Sequence, residues 1–282
     1  FGQCGGCALQ HVARAEELRW KRALVENALH RAGVATEVRA VIAAPAASRR
    51  RATFAVKRAG KALLLGFNER RSARIANLEE CVVLAPALAA RLAVLRAIAA
   101  LIPAPELDLA VTLCDDGLDV NATERRLSAR ALTQAPGLAA AMRAAGAQRL
   151  SVNGEIALAL AEPAVSFDGV PVHPPPGAFL QASREGEAAL LDLVRNAVGA
   201  ARKIADLFSG CGTFALPLAR GASVFAVDSD APAIDALKSA AAAAQRSGLH
   251  INPVRAETRD LFERPLSAKE LKGFDAVIFD PP

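Results

Sequence analysis

The 282-residue sequence is poor in the side chains that many binding and catalytic sites use. It has no Tyr, one Trp, one Met and four His, and aromatic residues make up 4% of the chain. An aromatic platform on which nucleic-acid bases stack is therefore not indicated. We also assign no catalytic role to the histidines, because none has a neighbour in the sequence that suggests a catalytic pair.

Long apolar runs are absent too, although 52% of the residues are hydrophobic. Much of this fraction is alanine in helical stretches such as residues 84–100 and 231–244. The apolar stretches are broken by Arg, Glu or Pro well short of the roughly 20 residues that span a bilayer. The polar, cysteine-bearing start does not resemble a signal peptide. We therefore expect a cytoplasmic protein with no membrane partner.

A mild excess of basic residues is present, with 34 Lys and Arg against 29 Asp and Glu, a formal net charge of +5. The first 75 residues hold several basic clusters, namely Arg49-Arg50-Arg51, Lys57-Arg58, Lys61, and Arg70-Arg71 with Arg74. Several clusters in one β-rich segment indicate a phosphate-binding surface. A solvated protein face is the alternative for any one of them.

The first part of the chain, residues 1–180, is predicted to form a mixed, β-rich α+β domain. We expect a helix over residues 8–32 that ends at Gly33 and strands over 52–56 and 62–67. A helix over 85–101, a hairpin of 109–113 with 118–121 around Asp115-Asp116-Gly117 and further strands within 149–172 should follow.

The pattern changes from about residue 183, and residues 181–282 are predicted to form a Rossmann-like domain. Helices are expected over 184–198, 214–219 and 231–247, and strands over 203–207, 223–227, 250–254 and 274–279. Strands that alternate with helices predict a parallel, doubly wound α/β sheet.

A cofactor site is predicted at the ends of these strands. The first strand leads into Asp206-Leu-Phe-Ser-Gly-Cys-Gly-Thr-Phe214, where Gly210 and Gly212 allow the backbone to approach a ligand closely. The next strand ends at Asp228, whose carboxylate can accept both ribose hydroxyls of an adenosine cofactor. Asp260 and Asp280 follow the third and fourth strands. An aspartate at the end of one strand is common as a loop carboxylate. Four of them in this order, Asp206, Asp228, Asp260 and Asp280, resemble the motifs of class I S-adenosylmethionine-dependent methyltransferases.

Two further segments narrow the resemblance. One is Gly2-Gln-Cys-Gly-Gly-Cys-Ala-Leu-Gln-His11, and the other is Gly177-Ala-Phe-Leu-Gln-Ala-Ser183. Together with the Asp280-Pro-Pro segment they resemble the bacterial RNA 5-methyluridine (uracil-C5) methyltransferases, specifically the 23S rRNA enzymes that carry an iron–sulfur motif. This resemblance spans nearly the whole chain. It implies RNA, most of all 23S rRNA, as the partner of a monomeric enzyme that uses S-adenosyl-L-methionine.

The resemblance also assigns the cofactor contacts. It implies that Gln181 contacts the cofactor near the transferred methyl group. Asp206, Phe208 and Thr213 match nucleotide-contact positions in the first loop, with Gly210 and Gly212 between them. Asp228 stands where the family more often has glutamate, and Asp260 falls near the position that contacts the base. Asp280 opens the family's Asp-Pro-Pro-Arg segment.

The resemblance also implies an iron–sulfur site formed by cysteines. Cys4, Cys7 and Cys81 match the second, third and fourth ligands of the family's [4Fe-4S] cluster, and the first ligand would precede Phe1. Three thiolates do not complete the usual set of four. A zinc site and a pair of incidental buried thiols are the alternatives. Cys114 is expected in the core.

The family's reaction needs a cysteine that adds to uracil C6 and a glutamate base, and both lie beyond the Asp-Pro-Pro segment in the family. This sequence ends at Pro282, after the fourth strand, so we expect the 282 residues alone not to turn over. Cys211 lies inside the cofactor loop and is not expected to replace the nucleophile. An amino-group methyltransferase, whose Asp-Pro-Pro precedes an aromatic residue, and a non-catalytic RNA-binding relative are the alternative functions.

Overall fold

The computed structural model describes residues 2–60, 62–133 and 135–282. Its helices are α1 Arg14–Arg31, α2 Pro86–Ala89, α3 Leu92–Leu101, α4 Leu138–Ala145, α5 Arg184–Val198, α6 Ala215–Leu218, α7 Ala231–Arg246 and α8 Ala268–Leu271, with a 3-10 turn at Ala129–Ala131. Its strands are β1 Arg51–Ala59, β2 Ala62–Asn68, β3 Ile75–Asn77, β4 Glu106–Leu113, β5 Leu118–Thr123, β6 Ala147–Val152, β7 Glu155–Ala159, β8 Val165–Phe167, β9 Val170–Val172, β10 Lys203–Leu207, β11 Ser223–Asp228, β12 Val254–Thr258 and β13 Ala276–Phe279.

The first seven strands form one sheet in the order β3-β2-β1-β4-β5-β6-β7. Neighbouring strands are antiparallel except β5 and β6, which are parallel. Parallel neighbours need a crossover connection, and α4 lies within it. Helix α3 covers the sheet with Leu95 and Ile98, which are fully buried together with Phe54 and Leu109.

The last four strands form a parallel sheet in the order β12-β11-β10-β13. Helix α7 packs on it through a stripe at helical spacing that includes Ile234, Leu237 and Ala241, all buried. The antiparallel hairpin of β8 and β9 contributes Val165 and Phe167 to this second core. The chain is therefore α/β as predicted, with two large sheets, a hydrophobic core for each, and the two-stranded β8–β9 sheet packed in the second core. The division of the chain at residue 180 stays a prediction.

Most of the predicted elements of the parallel sheet have the expected bounds. The predicted helix 184–198 and the predicted strand 203–207 coincide with α5 and β10. Capping explains why two helices begin where they do, since the Ser183 Oγ accepts from Gly186 N and the Asp230 side chain accepts from Ala233 N. The strand predicted over 250–254 is wrong in position. β12 starts at Val254, directly after Pro253, which has no N–H to give to a sheet.

The first part of the chain shows larger differences. The helix predicted over 8–32 begins only at Arg14, since the backbone of Ala13 is extended, with a ψ of 138°. Earlier in the chain, Gly5 N donates to Asn68 O of β2. The helix predicted over 85–101 is interrupted between Ala89 and Leu92. There the Arg91 side chain donates to the carbonyls of Ala87 and Ala145. Helix α4 was not predicted. No helix within 2–60, 62–133 or 135–282 is long and apolar enough to cross a membrane.

Candidate cofactor site

A cavity of about 530 Å³ lies at the carboxyl ends of the four parallel strands. This is where doubly wound sheets bind ligands, beside the point at which the strand order reverses, here between β10 and β13. Its wall is built by the loops that follow β10, β11, β12 and β13 and by residues 178–181. Seven of the predicted cofactor residues line it: Gln181, Phe208, Gly210, Thr213, Asp228, Asp260 and Asp280.

The loop after β10 is fixed by backbone hydrogen bonds to β11. The amides of Phe208 and Ser209 both donate to the carbonyl of Val227, at 2.8 and 3.1 Å. Phe208 has a φ of +63°, which non-glycine residues seldom adopt. Gly212 has a φ of +95°, and a Cβ atom there would lie 2.5 Å from Leu237 Cδ1 of α7. Gly212 therefore serves the packing of α7 under the loop and does not line the cavity.

Two carboxylates on the wall are held by backbone amides. Asp228 accepts from Gly210 N at 2.8 Å through Oδ2 and from Asp230 N at 2.9 Å through Oδ1. Asp260 Oδ1 accepts from the amides of Phe262 and Glu263, at 2.8 and 3.2 Å. A carboxylate has about four lone-pair sites, so both side chains keep acceptor capacity for a ligand. The amides fix where those acceptors point.

Asp206 lies beneath the loop and not on the cavity wall. It is 1% exposed, and its Oδ2 has no hydrogen-bond partner within the described residues. Burial raises the pKa of this carboxyl to about 7. A hydrogen bond from the Ala215 backbone amide opposes the shift, and the charges of Asp228 and Asp280 add to it. At neutral pH the protonated and ionised forms of Asp206 are therefore both populated.

An aromatic pair at the mouth of the cavity was not predicted. The rings of Phe208 and Phe262 lie 5.4 Å apart, centroid to centroid, and Phe262 is 70% exposed. Aromatic rings can pack against planar groups, so the pair offers a surface that can flank a planar ligand. The sequence does contain a signal for it, because Asp260-Leu-Phe262 repeats the Asp206-Leu-Phe208 triplet at the end of another strand.

The cysteine motif lies on the first sheet, where Cys4 forms a β-bridge with Glu69. The pKa of the Cys7 thiol is raised, first by burial and then by the charges of Cys81 and Cys4, while Arg49 opposes the shift. The three thiols thus lie within electrostatic reach of one another. Even so, no group of three or more His, Cys, Asp or Glu in the described part of the chain is arranged to hold a metal ion. The predicted [4Fe-4S] site is therefore not supported, because metal ligation needs thiolates that converge on one point.

The other two cysteines are buried in the second core. Burial raises the pKa of both thiols to about 12, with the charges of Asp230 and Asp228 adding to the effect at Cys211 and that of Asp119 at Cys114. Cys211 contributes to the cavity wall, but a thiol with such a pKa remains protonated at neutral pH and is a poor nucleophile.

Three of the clustered arginines proved to have structural partners, which corrects the prediction that they form a phosphate-binding surface. Arg50 is buried against Glu187. Arg51 lies over the ring of Phe179, at 4.9 Å from the centroid. Arg58 donates to three carbonyls at the end of α3 and just after it. Arg49, Arg70, Arg71 and Arg74 are exposed, and Lys61 lies outside the described residues.

Comparison with known proteins identifies the family of this chain. No protein-family model matches the chain. An RNA methyltransferase of Rhizobium meliloti, itself uncharacterized, is 44% identical over 290 residues, which cover 100% of this chain and 67% of that protein. The chain belongs to the RNA methyltransferase family. A 23S rRNA uracil-C5-methyltransferase of Alkalilimnicola ehrlichii is 33% identical over 303 residues, covering 100% of this chain and 66% of that protein.

The fold of this RNA methyltransferase also matches a solved structure. The tRNA (uracil-54, C5)-methyltransferase of Pyrococcus abyssi, in complex with S-adenosyl-L-homocysteine, superposes with a TM-score of 0.73 at 22% identity. The match covers 99% of this chain and 69% of that one. The chain therefore has the fold of the S-adenosylmethionine-dependent methyltransferases.

Proposed function

We propose that the cavity binds S-adenosylmethionine and that the protein transfers the methyl group to C5 of a uridine in RNA, with 23S rRNA as the substrate. One observation carries the cofactor assignment. The ends of four neighbouring parallel strands place a glycine-containing loop and three carboxylates, Asp228, Asp260 and Asp280, around a single cavity. The named activities of the Alkalilimnicola and Pyrococcus proteins support uracil C5 as the target.

Each side chain on the wall has a proposed task. Asp228, which ends β11, accepts hydrogen bonds from the two ribose hydroxyls, because its orientation is already fixed by Gly210 N and Asp230 N. Phe208 and Phe262 flank the adenine ring, and Asp260 lies beside them at the end of β12. Gln181, which also lines the cavity, contacts the methionine end, near the transferred methyl group.

The proposed reaction needs a bound cofactor, a nucleophile and a base, and these residues provide only the cofactor site. Uracil C5 is a weak nucleophile, so a thiolate must add to C6 before C5 attacks the methyl group and releases S-adenosylhomocysteine. A base must then remove the C5 proton, so that the C6–S bond breaks and the thiolate leaves. The cofactor supplies the methyl group as an electrophile. The described residues bind and orient it and shield it from water. We assign no nucleophile among them, because the Cys211 thiol beside the cavity stays protonated.

A route for RNA adjoins the cavity. A groove of about 300 Å³ is lined by residues that include Arg49 and Thr53, and it shares Phe179 and Gln181 with the cofactor cavity. The exposed arginines of the turn between β2 and β3, at positions 70, 71 and 74, lie on the same seven-stranded sheet. Basic side chains attract the phosphate backbone without regard to sequence. We propose that this surface positions the substrate strand.

The cofactor assignment is tested by calorimetric titration with S-adenosylhomocysteine. Asp228→Ala should weaken binding at least tenfold, as expected when a hydrogen bond to a charged acceptor is lost. The matched control is Asp235→Ala, since Asp235 is an exposed aspartate of α7 whose ion-pair partner is Lys238, at 3.7 Å. The assignment is wrong if Asp228→Ala binds as tightly as the unmodified chain.

The reaction assignment is tested in cells. Deletion of the gene should remove one 5-methyluridine from 23S rRNA, measured by mass spectrometry of nuclease fragments, and the gene supplied on a plasmid should restore it. Unchanged 5-methyluridine together with the loss of a methylated adenine or guanine would contradict uracil chemistry. That result would favour an amino-group methyltransferase.

A further inference from the structure

The segment that brings Gln181 to the cavity is held by two consecutive arginines, Arg50 just before β1 and Arg51 at its start. The carbonyl of Leu180 accepts from Arg51 Nη1 at 3.0 Å, and the carbonyl of Gln181 accepts from Arg50 Nε at 3.0 Å. The carbonyl of Ala182 accepts from Arg50 N at 2.8 Å. Three successive peptide groups are thus fixed from one side, so the backbone that carries Gln181 has little freedom to rotate.

Arg50 is the centre of this arrangement. Its side chain is 2% exposed, and its Nη2 lies 2.5 Å from Oε2 of Glu187 in the first turn of α5, a carboxylate that is 12% exposed. Its own carbonyl accepts from Leu113 N of β4 at 2.7 Å. Arg50 therefore ties the seven-stranded sheet to residues 180–182 and to the helix that follows them. Burying an ion pair costs several kcal/mol of desolvation, which makes stability alone a weak reason for placing a charge here.

We propose that Arg50 is a positioning residue for the cofactor site. It fixes the backbone at Gln181 and the start of α5, and so sets the orientation of the Gln181 side chain against the methionine end of the cofactor. The inference rests on the cofactor function proposed above. Glu187 supports Arg50 in this role, because Coulomb attraction and hydrogen bonding from Arg50 favour its ionised form against the effect of burial, which raises its pKa.

A purely structural role for Arg50 makes a different prediction, and the chain offers a matched control. Arg149 is also a buried arginine of the first sheet, with its side chain 6% exposed. It forms a two-point ion pair with Asp119, at 2.9 and 2.8 Å, and donates to Pro174 O at 2.9 Å. These partners lie outside residues 180–182. Loss of Arg149 should therefore lower stability without changing the orientation of Gln181.

The experiment measures S-adenosylhomocysteine binding and the melting temperature of the 282-residue chain. Arg50→Met should weaken binding about tenfold and lower the melting temperature. Arg149→Met should lower the melting temperature but leave the dissociation constant within about twofold of the unmodified chain. If Arg50→Met does not fold, the double variant Arg50→Met with Glu187→Met replaces it, since removing both charges avoids an unpaired buried carboxylate. That variant should fold and still bind weakly.

A double-mutant cycle then asks whether Arg50 acts through Gln181. In a Gln181→Ala background the Arg50→Met change should cost less than about twofold in affinity, because the group that Arg50 positions is already gone. The same tenfold loss in both backgrounds overturns the proposal, as does unaltered binding by Arg50→Met or by the double-charge variant. An unmodified chain that does not bind S-adenosylhomocysteine at all overturns the proposed cofactor site, and the inference with it, before any Arg50 variant is compared.

Discussion

Replacement of Asp206 by Asn should change how the stability of the protein depends on pH. Asp206 is buried in β10 under the cofactor loop, and its carboxyl has a pKa of about 7 against an ordinary value of 3.8. The folded chain therefore keeps a proton that the unfolded chain releases near pH 4. Stability from this group is fully present below about pH 4, is lost as the pH rises from about 4 to about 7, and changes little above that. Asn has nearly the same shape and does not ionise.

The size of the effect follows from the pKa difference. Each pKa unit corresponds to about 1.4 kcal/mol, so the ionised carboxylate costs the folded state of the order of 4 kcal/mol at pH 8. Urea unfolding of both proteins at pH 5, 6, 7 and 8 measures it. The free energy of unfolding of Asp206→Asn, relative to the unmodified chain, should rise by about 1.4 kcal/mol per pH unit from pH 5 towards pH 7 and level off by pH 8. Any cost of burying the amide shifts all four values equally. A difference between the two proteins that stays constant from pH 5 to 8 would refute the reasoning.

Two further predictions concern the loops after β10 and β12. Gly212→Ala should destabilise the chain by about 2–4 kcal/mol in urea unfolding, because a Cβ atom would lie 2.5 Å from Leu237 Cδ1 at a φ of +95°. Gly210→Ala, with a φ of +52° and no heavy atom within 4 Å of the added Cβ, should cost only about 1 kcal/mol, and equal losses would contradict the packing role. Phe262→Ala should weaken S-adenosylhomocysteine binding about tenfold while stability changes by less than about 0.5 kcal/mol, since Phe262 is 70% exposed. Unchanged affinity would show that its contact with Phe208 is unrelated to the cofactor.

Local sequence patterns predicted the parallel sheet well because its elements carry strong local signals. Helix α7 has a capping Asp230, a proline in its first turn and an apolar stripe, and β10 is a short buried strand that ends at the glycine-containing loop. The exception is β12. It lies at the edge of the sheet and alternates charged with small residues, whereas the apolar residues just before it look more like a strand. Ile251 in that stretch is buried without being part of a strand.

The burial of the clustered arginines could not be predicted from local sequence patterns. Arg49, Arg50 and Arg51 are identical in type and consecutive, yet they are respectively exposed, buried and partly buried. The partner of Arg50, Glu187, lies 137 positions away, and no periodicity or spacing relates the two. The run of basic residues therefore predicted a phosphate-binding surface, whereas in the structure Arg50 is buried and hydrogen-bonded to other parts of the protein. Only contacts between residues far apart in the sequence, here those of Arg50 with Gln181, Ala182 and Glu187, determine which arginine is buried.

The cofactor site was likewise predicted only in part from local sequence patterns. The strand-end motif located the cavity, because the carboxyl ends of parallel strands meet at one edge whatever the side chains are. It did not distinguish the residues that face the cavity from those that hold its wall. Asp206 and Gly212 belong to the motif but lie behind the wall, whereas Phe262 lines the cavity and Arg50 fixes the wall from outside the motif. The motif thus contains two kinds of residue, those that contact the ligand and those that pack behind the loop that binds it. Substitutions at the two kinds of position should be told apart by whether affinity or stability falls first.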